Sequence, residues 1–391
     1  MPARPLTVVQ LLPALAAGGV ERSTLEIGAA LAAAGHRSIA VSAGGRLVEK
    51  FVAQGSEHVA LDIGRKSPAT LRHVRTLRRL FAELKPDIVH ARSRLPAWIG
   101  WHALRGMRGA RPHFVTTVHG LNSPGRYSAI LTRGERVICV SNTLREYVLR
   151  HYPRLEPARI AVIPRGIDPA EFPRGHRADE AWRTRFFADF PQLAGGRLLT
   201  LPGRGTRLKG HRDAVELLAA LRARDLDARL LLLGAREAGR EKYLEEVEAL
   251  ARERGVFDRL AITPPRGDVR EVYAISDLVL QLSTQPESFG RTVVEALSLG
   301  RPVLGWAHGG VGELLAELYP RGGVAFGEFN ALRERAIEFL SAPPPVAPLE
   351  KYRLADMQAA TLALYARVAA RDPLFSDGSS VGGGDCGEGG S

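Results

Sequence analysis

Cysteine and long apolar runs are scarce in this sequence. The chain has 391 residues but only two cysteines, Cys139 and Cys386, which stand far apart with no ligand-type spacing around them. This scarcity argues against a disulfide framework and a zinc cluster, and it fits a reducing compartment. No run reaches the ~18 apolar residues that a membrane-spanning helix needs. Only 6% of the residues are aromatic and 45% are hydrophobic, which is typical of a soluble globular protein, and the length favours two domains.

The first residues, MPARPLTVVQLLPALAAGG, share features with a secretory leader, since an arginine precedes an apolar run. We favour another interpretation, because LTVVQLL is typical of a buried strand. The helical pattern ERSTLEIGAALAAAGH and the strand-like SIAVSAG follow it. Cleavage would destroy this βαβ unit, so the sequence predicts a cytoplasmic protein.

Short apolar runs alternate with helical patterns along most of the chain. The first half contains LTVVQLL, SIAVSA, DIVHA, HFVTTVH, RVICVS and IAVIP, and the second contains RLLTLPG, ARLLLLG, RLAITPP, DLVLQLS and RPVLGWA. Strands spaced in this way predict two doubly wound parallel α/β sheets. We place a Rossmann-like domain over residues 1–168, a second over 169–350, a helix over 351–373 and a disordered low-complexity tail over 374–391.

The positive charge is concentrated in the first half of the chain. Residues 1–166 contain 25 lysines and arginines against 10 acidic residues, whereas the remainder contains 29 against 32. Part of the excess lies in residues 65–85, where apolar residues from Leu71 to Leu84 recur at helical spacing. This segment is either a solvated outer helix or a surface for an anionic membrane or substrate. Nucleic acid is disfavoured, because no helix-turn-helix, zinc-finger or RNP pattern occurs.

Ligands of open α/β sheets bind at the carboxyl ends of the strands. The residues directly after predicted strands include Gly18, Gly19, Arg92, Arg94, His119, Arg165, Arg204 and Glu287. Four of these are arginines, so we expect the cleft to bind an anion. Each feature alone also has a plain structural interpretation, because a lone histidine is often structural and Gly-Gly is an ordinary turn.

The stretch GRGTRLKG, residues 203–210, is a Gly-rich turn between a predicted strand and a helix. It is not a P-loop, since Lys209 is followed by Gly210 rather than by Ser or Thr. Arg204 and Lys209 would suit a diphosphate, although the stretch also fits a surface turn. The segment DLD, residues 225–227, imitates a metal-binding Asp-x-Asp. Because it precedes a strand, we interpret it as a surface turn and expect no metal site.

Two glutamates, Glu287 and Glu295, stand in the apolar stretch QPESFGRTVVEALSLGRPVL. Burying an unpaired carboxylate is costly, so each needs a partner. The helix that begins after Gly290 offers free backbone N–H groups and a positive dipole end to a phosphate. Vicinal sugar hydroxyls suit the two oxygens of a carboxylate. A nucleotide sugar, with a diphosphate between two sugars, meets both requirements.

These motifs resemble those of the family 4 retaining glycosyltransferases of the GT-B fold. ESFGRTVVE matches their Glu-x7-Glu signature, within the context PESFG…EALSLGRPVL…GGVGELL. GGVERSTLEIGAALAAAGH, VHG, RVICVSNTLREYV, IAVIPRGIDPAEF and GRGTRLKG resemble further landmarks, so the resemblance runs from about residue 7 to residue 372. It implies two Rossmann-like domains facing a cleft, the first binding the acceptor and the second the donor, with a final helix crossing back to the first domain.

The resemblance also implies roles for individual residues. Glu287 would hold hydroxyls of the donor sugar, and Glu295 those of the ribose. Arg204 and Lys209 would neutralise the leaving diphosphate in place of a metal, and His119 would lie beside the transferred sugar. The remaining donor-binding positions are Gly18, Gly19, Ser288, Phe289, Gly290, Arg291 and Thr292.

Two departures from the family pattern add positive charge. Arg165 stands where Asn is common, and the acidic residue that commonly precedes the lysine of the phosphate loop is missing. Together with Arg92 and Arg94, which we take as acceptor-binding candidates, they predict a donor or acceptor with extra negative charge.

We therefore expect a metal-independent retaining hexosyltransferase without a cofactor. It would move a hexose or N-acetylhexosamine from a nucleotide sugar, with UDP-sugars favoured, to an anionic cell-envelope acceptor such as lipopolysaccharide core. It would be cytoplasmic, at the anionic surface of the inner membrane. Two alternatives stay open, namely a GT-B nucleotide-sugar epimerase and a catalytically silent protein that binds a sugar nucleotide or another polyanion.

Overall fold

Two fully parallel β-sheets organise the part of the chain that the computed structural model describes, residues 4–16 and 18–370. The strands of the first sheet are β1 (Thr7–Leu11), β2 (Arg37–Ser42), β3 (Glu57–Ala60), β4 (Ile88–Ala91), β5 (His113–Val118), β6 (Arg136–Cys139) and β7 (Ile160–Val162). Those of the second are β8 (Arg197–Pro202), β9 (Ala228–Leu233), β10 (Leu260–Ile262), β11 (Leu278–Gln281), β12 (Val303–Trp306) and β13 (Gly323–Val324). The predicted pair of doubly wound sheets is confirmed.

The strand order reverses once in each sheet. The first sheet runs β3-β2-β1-β4-β5-β6-β7, and the second runs β10-β9-β8-β11-β12-β13. The reversals fall between β1 and β4 and between β8 and β11, with every pairing parallel. In a doubly wound sheet, the crevice at such a reversal lies outside the carboxyl ends of the strands, where ligands bind.

Helices connect the strands and cover both sheets. The first part of the chain contains α1 (Gly19–Ala33), α2 (Val48–Ala53), α3 (His73–Leu84), α4 (Arg94–Arg105) and α5 (Asn142–His151). The second contains α6 (Glu180–Asp189), α7 (His211–Arg222), α8 (Glu241–Glu253), α9 (Val269–Ile275), α10 (Arg291–Ser298), α11 (Gly309–Leu318), α12 (Phe329–Ser341) and α13 (Leu354–Ala369). Central strands such as β9 are buried along their whole length, as is typical when helices cover both faces of a sheet.

The final helix, α13, packs on the first sheet. Its Met357, Leu364 and Tyr365 are buried in one cluster with Val8 of β1 and Ile138 of β6. The chain reaches this position by pairing residue 167 with residue 353. The helix therefore lies against the first sheet although it follows the second in sequence.

The two halves also contact each other beside the cleft. The Glu313 carboxylate on α11 accepts hydrogen bonds from the backbone N–H groups of Asn142 and Thr143 at 3.0 Å each, and from both of their side chains. A carboxylate at a helix N-terminus is favourable because it pairs with free N–H groups and the positive dipole end. Glu313 thus ties the start of α5 to the second half of the chain.

Some predicted details need correction or stay open. Leu71 is 63% exposed rather than part of a buried helical face, because residues 68–72 form a separate 3₁₀ turn before α3. The predicted boundaries at residues 168 and 350 stay predictions, and the predicted tail over 374–391 lies outside the described residues. Among the helices of the described residues, none is long and apolar enough to cross a membrane.

Candidate active site

The Gly-rich loop 203–210 leaves the carboxyl end of β8 and leads into α7. Gly210 has φ 74°, and a Cβ atom there would lie 1.8 Å from the Leu282 carbonyl oxygen. Only glycine allows this close approach of the loop to the end of β11. The Arg204 side chain is exposed, whereas Lys209 is partly buried. The loop thus brings two cations to the carboxyl edge of the second sheet.

Lys209 and Glu287 form an ion pair at the centre of the site. Lys209 Nζ lies 2.5 Å from Glu287 Oε1, and the two side chains are 25% and 23% exposed. Ser283 Oγ donates to the same oxygen, and Gln281 Nε2 lies 3.4 Å from it. The partner that the carboxylate requires is therefore a lysine, supported by polar side chains at the end of β11. Because the pair is partly exposed, a ligand can reach both charges.

The residues after Glu287 form the start of α10. Gly290 has φ 112°, and Phe289 is 5% exposed, which anchors the loop in the core. Thr292 Oγ1 accepts a hydrogen bond from Gln281 Nε2 at 3.2 Å. Ser288 Oγ donates to the backbone carbonyl of His119 at 2.8 Å. The N-terminus of α10 therefore faces the first sheet, and its free N–H groups are available to an anion.

Glu295 lies one turn further along α10 and is much less accessible. Its side chain is 8% exposed, with Arg291 Nε at 3.4 Å and Arg22 Nη1 at 3.5 Å from Oε1. Burial raises the pKa of Glu295 to about 7, although Arg291 and Arg22 oppose this shift. A carboxyl group that gains a proton near neutral pH is therefore placed next to the candidate donor site.

Replacing Glu295 with glutamine should remove a pH dependence from protein stability. The pKa of Glu295 in the folded protein lies above its ordinary value of 4.5. The folded protein therefore binds the Glu295 proton more tightly than the unfolded chain does. The free energy of unfolding should therefore fall as pH rises from about 4.5 to 7, by about 1–3 kcal/mol from this group. Thermal unfolding of the wild type and Glu295→Gln across this range checks the effect. Parallel profiles for the two proteins would contradict it.

The Gly18-Gly19 turn meets the second half of the chain from the opposite side. Gly18 has φ 137° and caps α1, and a Cβ atom there would lie 2.6 Å from Glu21 Oε2. Burial raises the pKa of Glu21, and the nearby Arg204 opposes the shift. The Gly18-Gly19 turn therefore lies close to the Gly-rich loop that carries Arg204. Glu21 was missed by the sequence interpretation, although it stands in the GGVERS motif.

A network of charged side chains across the cleft was also missed. Arg291 Nη2 lies 2.5 Å from Glu26 Oε1, and Arg22 lies 2.6 Å from Glu171 and 3.2 Å from Glu26. Arg22 and Glu26 share a face of α1 because they stand four residues apart. This four-residue spacing directly after the Gly-Gly turn is the sequence pattern that could have indicated a pair of charges at the cleft. Glu295 joins the network through Arg22 and Arg291, so α1 and α10 are held together by ion pairs.

The three acceptor-binding candidates are not gathered at one open surface. Arg92 is 3% exposed and donates to Gln10 Oε1 at 2.7 Å and Ser23 Oγ at 3.1 Å. Arg94 donates to Ser128 Oγ and lies over the ring of Tyr127. Their assignment to an acceptor stays a prediction.

Arg165, the third of these candidates, contacts His119, which is another predicted site residue. Its Nη2 donates to His119 Nδ1. His119 in turn meets α10 through the hydrogen bond from Ser288 to its carbonyl. Arg165 and His119 therefore lie beside the start of α10, on the side of the first sheet.

Other features lie away from this cleft. A cavity of about 970 Å³ opens beside Trp101, Arg105 and Arg133, near the amino ends of β5 and β6, which is the opposite edge of the first sheet. The DLD segment precedes β9, and Asp227 forms ion pairs with Arg229 and other arginines. It is a surface turn, as predicted. The 970 Å³ cavity is therefore separate from the candidate site around Lys209 and Glu287.

Comparison with known families identifies the two halves. The model described as Glycosyltransferase Family 4 matches residues 17–171, and the one described as Glycosyl transferases group 1 matches residues 184–353. Together the two models cover more than four fifths of the chain. The chain belongs to the glycosyltransferases of the GT-B fold.

Among the relatives of this glycosyltransferase is a "D-inositol 3-phosphate glycosyltransferase" of Xylanimonas cellulosilytica. It is 30% identical over 247 residues, which are 58% of this chain and 56% of the relative. The chain thus spans about half the length of the curated relatives it matches.

Solved structures of glycosyltransferases share the fold. A glycosyltransferase from Rickettsia africae ESF-5 matches with a TM-score of 0.81 and 24% identity, over 93% of this chain and 98% of that one. Anabaena Alr3699/HepE in complex with UDP-glucose gives 0.73 and 18%, over 95% and 98%. WaaG, "a glycosyltransferase involved in lipopolysaccharide biosynthesis", gives 0.64 and 19%, over 95% and 100%. At these identities the structures establish the fold alone.

Proposed function

We propose that this glycosyltransferase moves a hexose or N-acetylhexosamine from a UDP-sugar to an anionic acceptor of the cell envelope, with retention of configuration and without a metal. The observation that carries the proposal is the pair of Lys209 and Glu287 at the N-terminus of α10. A cation beside free backbone N–H groups suits a diphosphate, and a carboxylate at the same place suits sugar hydroxyls. HepE, which shares the fold, has been crystallised with UDP-glucose.

Each residue has a definite part in the proposed chemistry. Lys209 and Arg204, with the start of α10, would stabilise the negative charge that develops on the leaving diphosphate. Glu287 Oε1 accepts contacts from Lys209, Gln281 and Ser283, which fix the orientation of the carboxylate, and it would bind hydroxyls of the donor sugar. Fixed charges of this kind need no rearrangement during the reaction, which is what makes them effective. Retention would follow from attack on the face from which the diphosphate leaves.

The acceptor is proposed from charge. The first half of the chain carries the basic excess, and Arg94 adds a positive charge beyond the carboxyl end of β4. The Xylanimonas relative has a phosphorylated compound in its name, and WaaG is described as involved in lipopolysaccharide biosynthesis. A phosphorylated acceptor, with lipopolysaccharide core as the leading candidate and inositol 3-phosphate as its competitor, fits this chemistry.

A direct transfer assay tests the proposal. The purified protein would be incubated with UDP-glucose, UDP-N-acetylglucosamine or GDP-mannose, each with inositol 3-phosphate or a lipopolysaccharide-core acceptor. Mass spectrometry should detect a glycosylated acceptor with one donor, and NMR of the product should show the anomeric configuration of that donor. Conversion of the donor without an acceptor into a new sugar nucleotide would favour the epimerase, and binding without turnover would favour the silent protein.

The surface formed by Leu71, Arg72, Arg75 and Arg79 should bind anionic membranes. All four side chains are exposed. Each basic residue near an anionic bilayer contributes about 1 kcal/mol at low salt. We expect the protein to float with anionic vesicles at low salt and to lose roughly tenfold or more of this binding in Arg75→Glu/Arg79→Glu. The matched control, Arg183→Glu/Arg185→Glu on α6, should bind normally. No preference for anionic over neutral vesicles would contradict the membrane part of the proposal.

A further inference from the structure

Arg165 makes a contact that fixes the chemistry of a neighbouring side chain. It follows β7, and its guanidinium Nη2 donates a hydrogen bond to Nδ1 of His119, which follows β5. A guanidinium carries five N–H donors and no acceptor. Nδ1 of His119 must therefore be the unprotonated, accepting nitrogen, and the neutral ring must carry its proton on Nε2.

The other ring nitrogen of His119 is left without a partner. Nε2 is buried and makes no hydrogen bond with any of the residues that the structure describes. A buried N–H group without a partner is costly, and native proteins rarely retain one unless a ligand or water completes it. Ser288 at the start of α10 donates to the carbonyl of the same histidine. The backbone of His119 is therefore in contact with the start of α10, the helix at the candidate donor site.

The groups around the imidazole keep it neutral. Burial lowers the pKa of His119 well below its ordinary value, and Arg165, Arg92 and His90 lower it further in that order. Behind these groups, the hydroxyl of Tyr365 on α13 contacts His90 Nδ1 at 2.5 Å.

Arg165 itself stays positively charged. Burial lowers the pKa of Arg165 to about 9, Arg92 and Arg291 lower it as well, and Glu26 on α1 opposes the shift. The hydrogen bond to His119 therefore has a charged donor over the pH range of ordinary assays.

We propose that Arg165 is a positioning residue that holds His119 as the neutral Nε2–H tautomer, so that His119 donates a hydrogen bond to an oxygen of the bound donor sugar. His119 then cannot accept a proton at Nδ1, which Arg165 occupies, or at Nε2, which already carries one. It acts as a hydrogen-bond donor and not as a general base. The identity of the receiving oxygen rests on the proposed function, whereas the tautomer rests on the Arg165 contact alone.

The tautomer can be read directly by NMR on full-length protein labelled with ¹⁵N-histidine. Long-range ¹H–¹⁵N spectra distinguish protonated from unprotonated ring nitrogens, and His119→Gln identifies the resonances. We expect a protonated Nε2 and an unprotonated Nδ1 from pH 6 to pH 8 in the wild type. Arg165→Met, which has no donor, should give a mixture of tautomers and a ring that titrates at higher pH. Arg165→Lys, which keeps a donor, should restore the wild-type pattern in part.

A second readout separates positioning from a role in stability. In Arg165→Met, kcat should fall about threefold to tenfold at pH 8 while KM changes less, because one neutral hydrogen bond is lost in part of the population. The activity should partly recover at acidic pH, since an imidazolium ring carries a proton on Nε2 again. A purely structural Arg165 would give a loss that is the same at every pH.

The two kinds of failure are distinguishable. A wild-type His119 that is protonated on Nδ1, or a ring unchanged by Arg165→Met, would overturn the inference whatever the activity. The expected spectra from a protein that transfers no sugar would support the tautomer and the positioning role of Arg165, and they would refute the proposed function together with the sugar oxygen as the partner of Nε2. Because the wild-type spectrum alone can overturn the inference, the test does not depend on the folding of any variant.

Discussion

Replacing Lys209 with alanine is expected to lower kcat/KM for sugar transfer by about a hundredfold to a thousandfold, the usual effect of removing one preorganised group that stabilises developing charge. Lys209 is held 2.5 Å from Glu287 at the start of α10, so its ammonium group needs little rearrangement to meet a diphosphate. The loss should appear mainly in kcat, because the leaving diphosphate carries more negative charge in the transition state than in the bound donor. Steady-state kinetics with the active UDP-sugar would measure it.

Arg207→Ala is the matched control for this loss. Arg207 lies two residues earlier on the same turn, but its guanidinium is 65% exposed and pairs with Glu246 of α8. It should change kcat/KM less than about twofold, since exposed ion pairs contribute little. Equal losses in Lys209→Ala and Arg207→Ala would indicate a general effect of positive charge and contradict the assigned role of Lys209.

Replacing Glu287 with glutamine should lower transfer by roughly tenfold to a hundredfold, in line with the loss of hydrogen bonds to a charged group. The substitution keeps the shape of the side chain and removes the charge that we assign to the donor sugar. It should also remove a repulsion towards the diphosphate. We therefore expect UDP to bind at least as tightly as in the wild type, while the preference for the UDP-sugar over UDP disappears. Calorimetric titration with both ligands would measure this difference.

Glu246→Gln is the control for Glu287→Gln. Glu246 is also a partly buried carboxylate, and it pairs with Arg207 of the Gly-rich loop 203–210. It should leave the preference for the sugar nucleotide unchanged. If Glu287→Gln weakens UDP and the UDP-sugar equally, the carboxylate does not contact the sugar and its assigned role is wrong.

The sheets could be predicted from sequence because their central strands are continuous apolar runs. ARLLLL in β9 is buried at every position, as a strand covered on both faces should be. The strands that were missed, β3 and β13, are at the edges of the two sheets. β3 reads Glu-His-Val-Ala and is partly exposed, and β13 has two residues. Short edge strands carry little periodic signal, so sequence patterns do not reveal them.

The part of the site that was predictable from sequence consists of residues that directly follow strands. Lys209 and Glu287 follow strands β8 and β11, which are neighbours in the sheet, so the strand-end rule brings them together. The ion pair between Arg291 and Glu26 joins residues 265 positions apart in different halves, and no local pattern reports such a contact. Arg92 was expected at an acceptor surface because it directly follows a predicted strand and adds positive charge to the expected cleft. Its burial depends on Gln10, a polar residue inside β1.

The central claim is that the cleft binds a sugar nucleotide through Lys209 and Arg204 without a metal. Thermal unfolding of the full chain with UDP, GDP, UDP-glucose, UDP-N-acetylglucosamine and GDP-mannose, each with and without EDTA, tests it most directly. A ligand that binds only the folded state raises the midpoint according to its concentration relative to Kd. We predict a rise with one nucleotide class that EDTA does not change and that Lys209→Ala or Arg204→Ala reduces. No rise with any nucleotide, or a rise that EDTA abolishes, would contradict the claim.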